Sequence, residues 1–446
     1  MGNLHRFPGP TRGVKSARPW AAAAATAALT SLVFVVVYNI CNRLTGIRPD
    51  TGVWAFDWER NWPLITAMIV PYWSLDLFYV VAPFLCRTRE ELAVHRRRIL
   101  FATVAAGICF LAIPLRFAFP RPHVEGMFAP WFSALYGFDL PHNLFPSLHI
   151  TLRTLLTVLY LRMSHRSLRW LVHLWFSAIG FSTLFTWQHH LVDVLGGFWL
   201  AAITLQLFPF DETPERHPAS PRLVLYYGLA ALLCSQLARL SWPWTFILVW
   251  PAFSCAVAAL GYAGLGHRIY GKKNGQLTWL TRILLAPLLA GQWLSWRHYR
   301  RQSPRWNAIT PGVWIGALPT PEDARDAIQA GVTAVLDLTV EFSEDPAFRN
   351  LRYHHIPVLD LTAPSPAQLA RCAEIIQEES QSGIIFIHCK AGYSRSAAAA
   401  GAWLLTTGRA DGVEAVVRQL TATRPGIVIR PEVRAALHAM GKPQRE

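Results

Sequence analysis

Ile384-Ile385-Phe386-Ile387-His388-Cys389-Lys390-Ala391-Gly392-Tyr393-Ser394-Arg395-Ser396, followed by Ala397 to Ala400, reads as an apolar strand, a tight loop and the first turn of a helix. The main-chain N–H groups of such a loop point inward and lack intrahelical partners, which suits an anion of phosphate size. The same field favours thiolate over thiol, so Cys389 is expected to be nucleophilic at neutral pH. Arg395, at the start of the helix, offers a planar fork for two phosphate oxygens. Gly392 allows a positive φ or a close approach of a bound anion. Ser396 is placed to donate to the sulfur, and His388 to brace the loop. The chemistry implied is phosphomonoester hydrolysis through a cysteinyl-phosphate.

The loop resembles the signature of the cysteine-dependent dual-specificity phosphatases, and the resemblance covers about residues 303–440. Ile309–Gly316 is similar to the family's first strand, Val332–Thr339 to its second, and Tyr353–Asp360 to the strand that delivers the general acid. The resemblance implies a central sheet with Lys390, Ala391, Gly392, Tyr393, Ser394, Arg395 and Ser396 as the phosphate cradle. It gives Asp360 the role of protonating the leaving oxygen and then activating water. Asp360 is expected to end an apolar strand ahead of a Thr-Ala-Pro-Ser-Pro loop. Asp337, inside an apolar strand, is the rival and reads as structural. Lys390 beside the cysteine leans toward acidic lipid head groups, while protein-directed and glucan-directed relatives share the feature.

The 446 residues exceed one domain, and the charge is split between two halves. The first 302 residues carry 28 Lys and Arg against 12 Asp and Glu, and 16 of the 19 tryptophans. The remainder carries 14 basic and 15 acidic residues. Apolar runs, tryptophan and basic connections together indicate a polytopic membrane region and exclude a nucleic-acid binder. The seven cysteines form no Cys-x-x-Cys pair, so neither a disulfide framework nor a zinc site follows. The run from Trp20 to Ile40 reads as a retained anchor rather than a cleaved leader. Further spans are expected near 62–86, 99–119, 147–163, 169–187, 191–208, 223–240 and 243–262. With a cytoplasmic N-terminus, the basic connections at 87–98, 164–168 and 263–275 share one side. Gln276–Trp296 is apolar but interrupted by Arg282, Pro287 and Gly291, and is expected to be re-entrant or interfacial.

Two polar clusters interrupt the spans on the opposite side: Phe145-Pro146-Ser147-Leu148-His149 and His189-His190-Leu191-Val192-Asp193. Ionisable residues at membrane depth point to function. His189 and Asp193 are four apart, and on a helix they would share a face. This pattern resembles the type-2 phosphatidic acid phosphatase superfamily, nearest its sphingomyelin synthase branch, over about residues 100–210. By that resemblance His189 is a nucleophile, Asp193 orients it and His149 is a general acid. Arg121-Pro122 fits the superfamily pattern, whereas Pro114 and Thr183 stand where a lysine and an arginine are expected. Arg116 and Arg153 are the substitutes for gripping phosphate, and Asp76 is a further buried charge that Arg116 could pair.

The expectation is an all-α membrane bundle of about eight spans plus a possible re-entrant segment, followed by an α/β cysteine-phosphatase domain. The expected limits are 1–262, 263–302 and 303–446. The reaction requires no metal or organic cofactor. The partners are a phospholipid or phosphoprotein substrate and the membrane, in a multi-pass protein of bacterial inner-membrane type with its phosphatase domain in the cytoplasm. Two alternatives stand beside this reading: a lipid phosphotransferase working through the His149, His189 and Asp193 site, and a non-catalytic phosphate sensor on a lipid-binding anchor.

Overall fold

The computed structural model describes residues 19–49, 51–210, 219–240, 245–302 and 304–440. The chain forms two compact units, Met1–Thr213 and Pro214–Glu446.

The first unit is helical: α1 (Trp20–Gly46), α2 (Ile69–Leu85), α3 (Arg89–Ala112), α4 (Ala129–Phe138), α5 (Leu148–Met163), α6 (Arg169–Phe185) and α7 (Leu191–Leu207). Its core draws Leu75, Ala102, Phe110, Leu155, Phe176 and Ala201 from five of these helices. The outward faces carry Leu32, Leu77, Ile108, Leu174 and Leu195, all more than half exposed. Helices apolar on every side suit hydrocarbon better than water. Among the described residues, four helical stretches are long and apolar enough to cross a bilayer: Trp20–Gly46, Thr66–Leu85, Arg166–Phe185 and Leu248–Tyr270.

Two local outcomes differ from the sequence reading. The arginine-rich connection at 87–98 is mostly helix, because α3 begins at Arg89. The Thr88 hydroxyl caps it by accepting from the Glu91 amide at 3.1 Å, and Glu90 and Glu91 occupy the first turn. The stretch between α3 and α5, where the sequence gives no element, also contains a helix, α4.

The second unit opens with α8 (Pro221–Leu240) and α9 (Thr245–Leu260), which pack together, then one π turn and one 3-10 turn to Tyr270. Gln276–Trp296 is not continuous. It forms α10 (Trp279–Leu284) and α11 (Ala286–Arg300), divided at Leu285 just before Pro287.

The remainder is a five-stranded sheet with helices on both faces. Its elements are β1 (Trp306–Thr310), β2 (Val313–Ala317), α12 (Pro321–Gln329), β3 (Val332–Asp337), α13 (Pro346–Arg349), β4 (Arg352–His355), α14 (Pro366–Ser382), β5 (Ile384–Cys389), α15 (Arg395–Thr406), α16 (Val413–Thr423) and α17 (Pro431–Met440). The strand order is β1-β2-β5-β3-β4; β1 and β2 are antiparallel and the other pairs parallel. Central β5 is apolar from Ile384 to Ile387, as expected of a strand covered on both faces. The alanines of α15 let that helix lie close on the sheet, and Ala397 to Ala400 are fully buried. This places the C-terminal end of β5 and the N-terminus of α15 at one edge, where ligands of parallel α/β sheets bind.

Trp403 on α15 anchors this core at 1% exposure, and its indole N–H donates to Gln377 Oε1 of α14 at 3.0 Å. Trp403→Ala is expected to destabilise the sheet domain by about 3–5 kcal/mol. The check is the denaturant concentration at which buried Cys372 becomes open to pulsed alkylation, which should fall.

Candidate active site

Cys389 ends β5 and is 3% exposed. The loop that follows turns back through Gly392 at φ 73°, and a Cβ there would stand 2.6 Å from the Gly316 backbone. Only glycine fits that approach. The loop is braced from outside by Arg424, whose Nε donates to the Gly392 carbonyl at 3.1 Å and whose Nη1 donates to Asn307 Oδ1 at 2.7 Å. The Val428 amide donates to the Tyr393 carbonyl at 3.2 Å. The loop closes at Ser394, whose carbonyl accepts from the Ala398 amide at 2.8 Å as α15 begins. Ala391 and Tyr393 lie half-buried on the rim.

The sulfur lies 3.4 Å from Ser396 Oγ. Burial works against a thiolate here. The Arg395 guanidinium, the Ser396 hydroxyl and amide and the Gly392 amide outweigh it and hold the Cys389 thiol below its ordinary range.

Arg395 is buried at 2% exposure and fully engaged. It donates to Glu341 at 2.5 and 3.1 Å, to the Val358 carbonyl at 2.8 Å and to Asp360 Oδ1 at 3.2 Å. Lys390 Nζ donates to the other Asp360 oxygen and to Gln292 Oε1 of α11, the latter at 2.8 Å. Burial favours the protonated acid at Asp360, but Arg395 and Lys390 outweigh it and hold the carboxyl below its usual range. The structure therefore brings Cys389, Lys390, Gly392, Arg395, Ser396 and Asp360 to one place.

The path to Asp360 differs from the expectation of a continuous strand. β4 stops at His355, and Pro357, which has no N–H to give a neighbouring strand, carries the chain out of the sheet. Asp360 lies in the following turn, and Leu361 just after it is held at φ 62°.

Beneath the loop, Asp337, Glu344 and His388 are buried with ligand atoms within 4.8 Å of one another, close enough to hold a metal ion. The Lys272 ammonium already sits on Asp337, and it also donates to Thr339 Oγ1 at 2.9 Å. The Tyr353 hydroxyl donates to Asp337 at 2.6 Å. His388 lies 2.7 Å from Glu344. Burial opposes its charge, but Glu344 and Asp337 prevail and push its pKa up. Its carbonyl accepts from the Leu338 amide at 3.1 Å, so it does brace the floor of the site.

In the helical unit, His149 and His189 line one cavity of about 370 Å³ with Tyr38, Tyr72, Asp76 and Asp139. His189 and Asp193 do not share a helical face, because α7 starts only at Leu191. Asp193 turns back to cap the helix, accepting from the His190 amide at 2.8 Å, and its carboxylate stands 3.7 Å from His189 Nδ1. Neighbouring His190 has the tighter partner, Glu59, at 2.8 Å, and its Nε2 accepts from the Ala118 amide at 3.0 Å. Arg153 is committed to the Phe176 carbonyl at 2.5 Å. Asp76 makes no ion pair with Arg116 among the described residues; it faces the cavity.

Removing the hydroxyl beside the sulfur tests the electrostatics. Ser396→Ala is expected to move the pH midpoint of Cys389 alkylation upward by about one unit, the size of one charge-assisted hydrogen bond. An unchanged midpoint would assign the depressed thiol to other groups.

Residues 313–442 match the family model described as the catalytic domain of dual specificity phosphatases. Curated relatives include dual specificity protein phosphatase 12 of Mus musculus, 32% identical over 103 residues, and that of Homo sapiens, 31% identical over 104 residues. Each alignment covers 22% of this chain, and the chain spans only about 30% of the length of these relatives. Similar solved structures include Tk-PTP in the active form, at 24% identity and a TM-score of 0.30, covering 31% of this chain and 98% of that one. PTPMT1 in complex with PI(5)P gives 21% identity and a TM-score of 0.29, covering 31% and 95%. The C-terminal part of the chain thus carries a dual-specificity phosphatase-type catalytic domain.

Proposed function

We propose that the protein is a membrane-embedded phosphatase that hydrolyses phosphomonoesters through a cysteinyl-phosphate on Cys389, in a domain spanning 303–446 on the cytoplasmic side. The observation that carries this reading is the buried sulfur among loop amides, within the field of Arg395 and in contact with Ser396. In the first step Cys389 Sγ attacks phosphorus, the ester P–O bond breaks, and Asp360 gives its proton to the departing oxygen. In the second step Asp360 takes a proton from water, the water oxygen bonds to phosphorus and the S–P bond breaks. Inorganic phosphate leaves, and Ser396 stabilises the released thiolate. The loop amides and Arg395 hold the non-bridging oxygens throughout.

The acid needs an explanation, because Asp360 is held anionic by Lys390 and Arg395 at rest. A phosphate dianion entering the cradle draws on both cations. Its own charge then raises the Asp360 pKa, so the carboxyl carries a proton when the leaving group needs one. Substrate binding thus prepares the acid.

A second reading concerns the helical unit. His149 Nε2 and His189 Nδ1 are buried without a hydrogen-bond partner among the described residues, and both side chains line the same cavity. This supports a lipid-handling site there, with His189, His149 and Asp193 in the roles that the superfamily resemblance implies.

Cys389→Ser in the full-length protein is expected to abolish hydrolysis of p-nitrophenyl phosphate, and Asp360→Asn to slow it by about 10²–10⁴-fold. His189→Ala should leave most of that hydrolysis in place; its loss would move the chemistry to the helical unit. Lys390→Met removes one cation from Asp360 and so raises its pKa. Activity that needs the protonated acid falls as pH rises through that pKa, so the descending limb of kcat/KM should shift to higher pH, as a pH–rate profile will show.

A further inference from the structure

The phosphatase site is walled by the helices that precede it in the chain. The Tyr262 hydroxyl donates to the Asp360 carbonyl at 3.0 Å. Gln292 of α11 is 7% exposed and accepts from Lys390, the residue next to the nucleophile candidate. The Trp296 indole donates to the Leu318 carbonyl at 3.0 Å. The Gly275 carbonyl accepts from the Glu344 amide at 2.7 Å. The acid loop, the cradle and the floor of the site are therefore each tied to residues 262–296.

These same helices turn an apolar face the other way. On α11, Trp293 and Leu294 follow Gln292 and are 44% and 61% exposed. On α10, Trp279 is 71% and Ile283 45% exposed. On α8, Leu225, Leu229 and Leu232 are each more than half exposed. The Trp250 indole donates to the Ile283 carbonyl at 3.0 Å, tying α9 to α10. An α-helix is about 10–12 Å across, so the cradle lysine lies one helix thickness from this apolar surface. The composition of the surface selects its occupant. Leu248–Tyr270 is long and apolar enough to span. Arg297 lies over the Trp293 ring at 5.4 Å and Arg300 over Trp296 at 5.6 Å. Tryptophan with arginine at the end of an apolar helix is the pattern of a membrane–water interface.

We infer that the substrate is a phosphomonoester carried on a membrane lipid, presented to the cradle from the bilayer surface that covers α8 to α11. This rests on the cysteinyl-phosphate reading above. The helices hold the cradle about one head-group layer from hydrocarbon. A lipid then gains binding energy from its remaining in the bilayer, which a soluble substrate lacks.

The test uses the full-length protein in phosphatidylcholine vesicles, with Cys389→Ser as the reference that defines Cys389-dependent phosphate release. The probes are phosphatidylinositol monophosphate and phosphatidic acid in the same vesicles, their deacylated head groups, a phosphotyrosine peptide and p-nitrophenyl phosphate. Cys389-dependent kcat/KM for at least one vesicle lipid should exceed that for its deacylated head group and for the peptide by about tenfold or more. Equal or better turnover of the peptide or the free head groups, with p-nitrophenyl phosphate still hydrolysed in a Cys389-dependent way, overturns the lipid inference and leaves the phosphatase reading standing. Release that persists in Cys389→Ser, or absence of Cys389-dependent release from every probe, overturns both.

Discussion

A guanidinium buried in the core of a small domain must be neutralised, and the geometry of this site follows from how Arg395 is. Glu341 grips it on one side and Asp360 on the other. A buried cation with two anionic partners can keep both carboxylates ionised and still bias a nearby thiol toward thiolate. With Lys390 counted beside Arg395, two cations face two carboxylates, so moving Asp360 away frees one positive charge for an incoming phosphate. The resting site therefore contains a displaceable anion, Asp360, in the region where substrate charge has to be accommodated. In the proposed mechanism, binding is an exchange of anions rather than the burial of a new charge, and the exchanged group is the one proposed to supply the proton.

The part of the site visible in the sequence is the part that is local. The strand ending at Cys389, the Gly392 turn and the helix starting at Arg395 lie within a few residues of one another, and their hydrogen bonding follows from that order. Partners brought by topology were not legible. Glu341 lies 54 positions from Arg395, Lys272 lies 65 from Asp337, and Tyr262 lies 98 from Asp360. Nothing in Lys272-Lys273 marks one lysine as the counter-ion of a buried aspartate; by sequence both belong to a basic connection. Arg424 is similar, since Arg-Pro near a helix end gives no sign that its guanidinium supports the phosphate loop.

The helical unit shows the opposite failure, a spacing rule applied two residues too early. His189 and Asp193 have the i, i+4 separation of helical neighbours, yet the helix begins after His190 and Asp193 serves as its capping carboxylate. The shorter pairing, His190 with Glu59, joins residues 131 positions apart. The eight apolar segments were readable because hydropathy is a property of each stretch alone, and each overlaps a helix, although 99–119 runs past the end of α3 at Ala112 and 62–86 starts ahead of α2 at Ile69. Their ends were less so, as Arg89–Arg98 shows, because capping by Thr88 outweighs the polarity of the turn.

Leu361 introduces a spring into the acid loop. A leucine in the left-handed region carries about 1–2 kcal/mol of steric cost that glycine would not, and Leu361 carries it directly behind Asp360 with its side chain 43% exposed. A movement of the loop that relaxed that torsion would return this energy and offset part of the cost of separating the Asp360 carboxylate from Lys390 and Arg395.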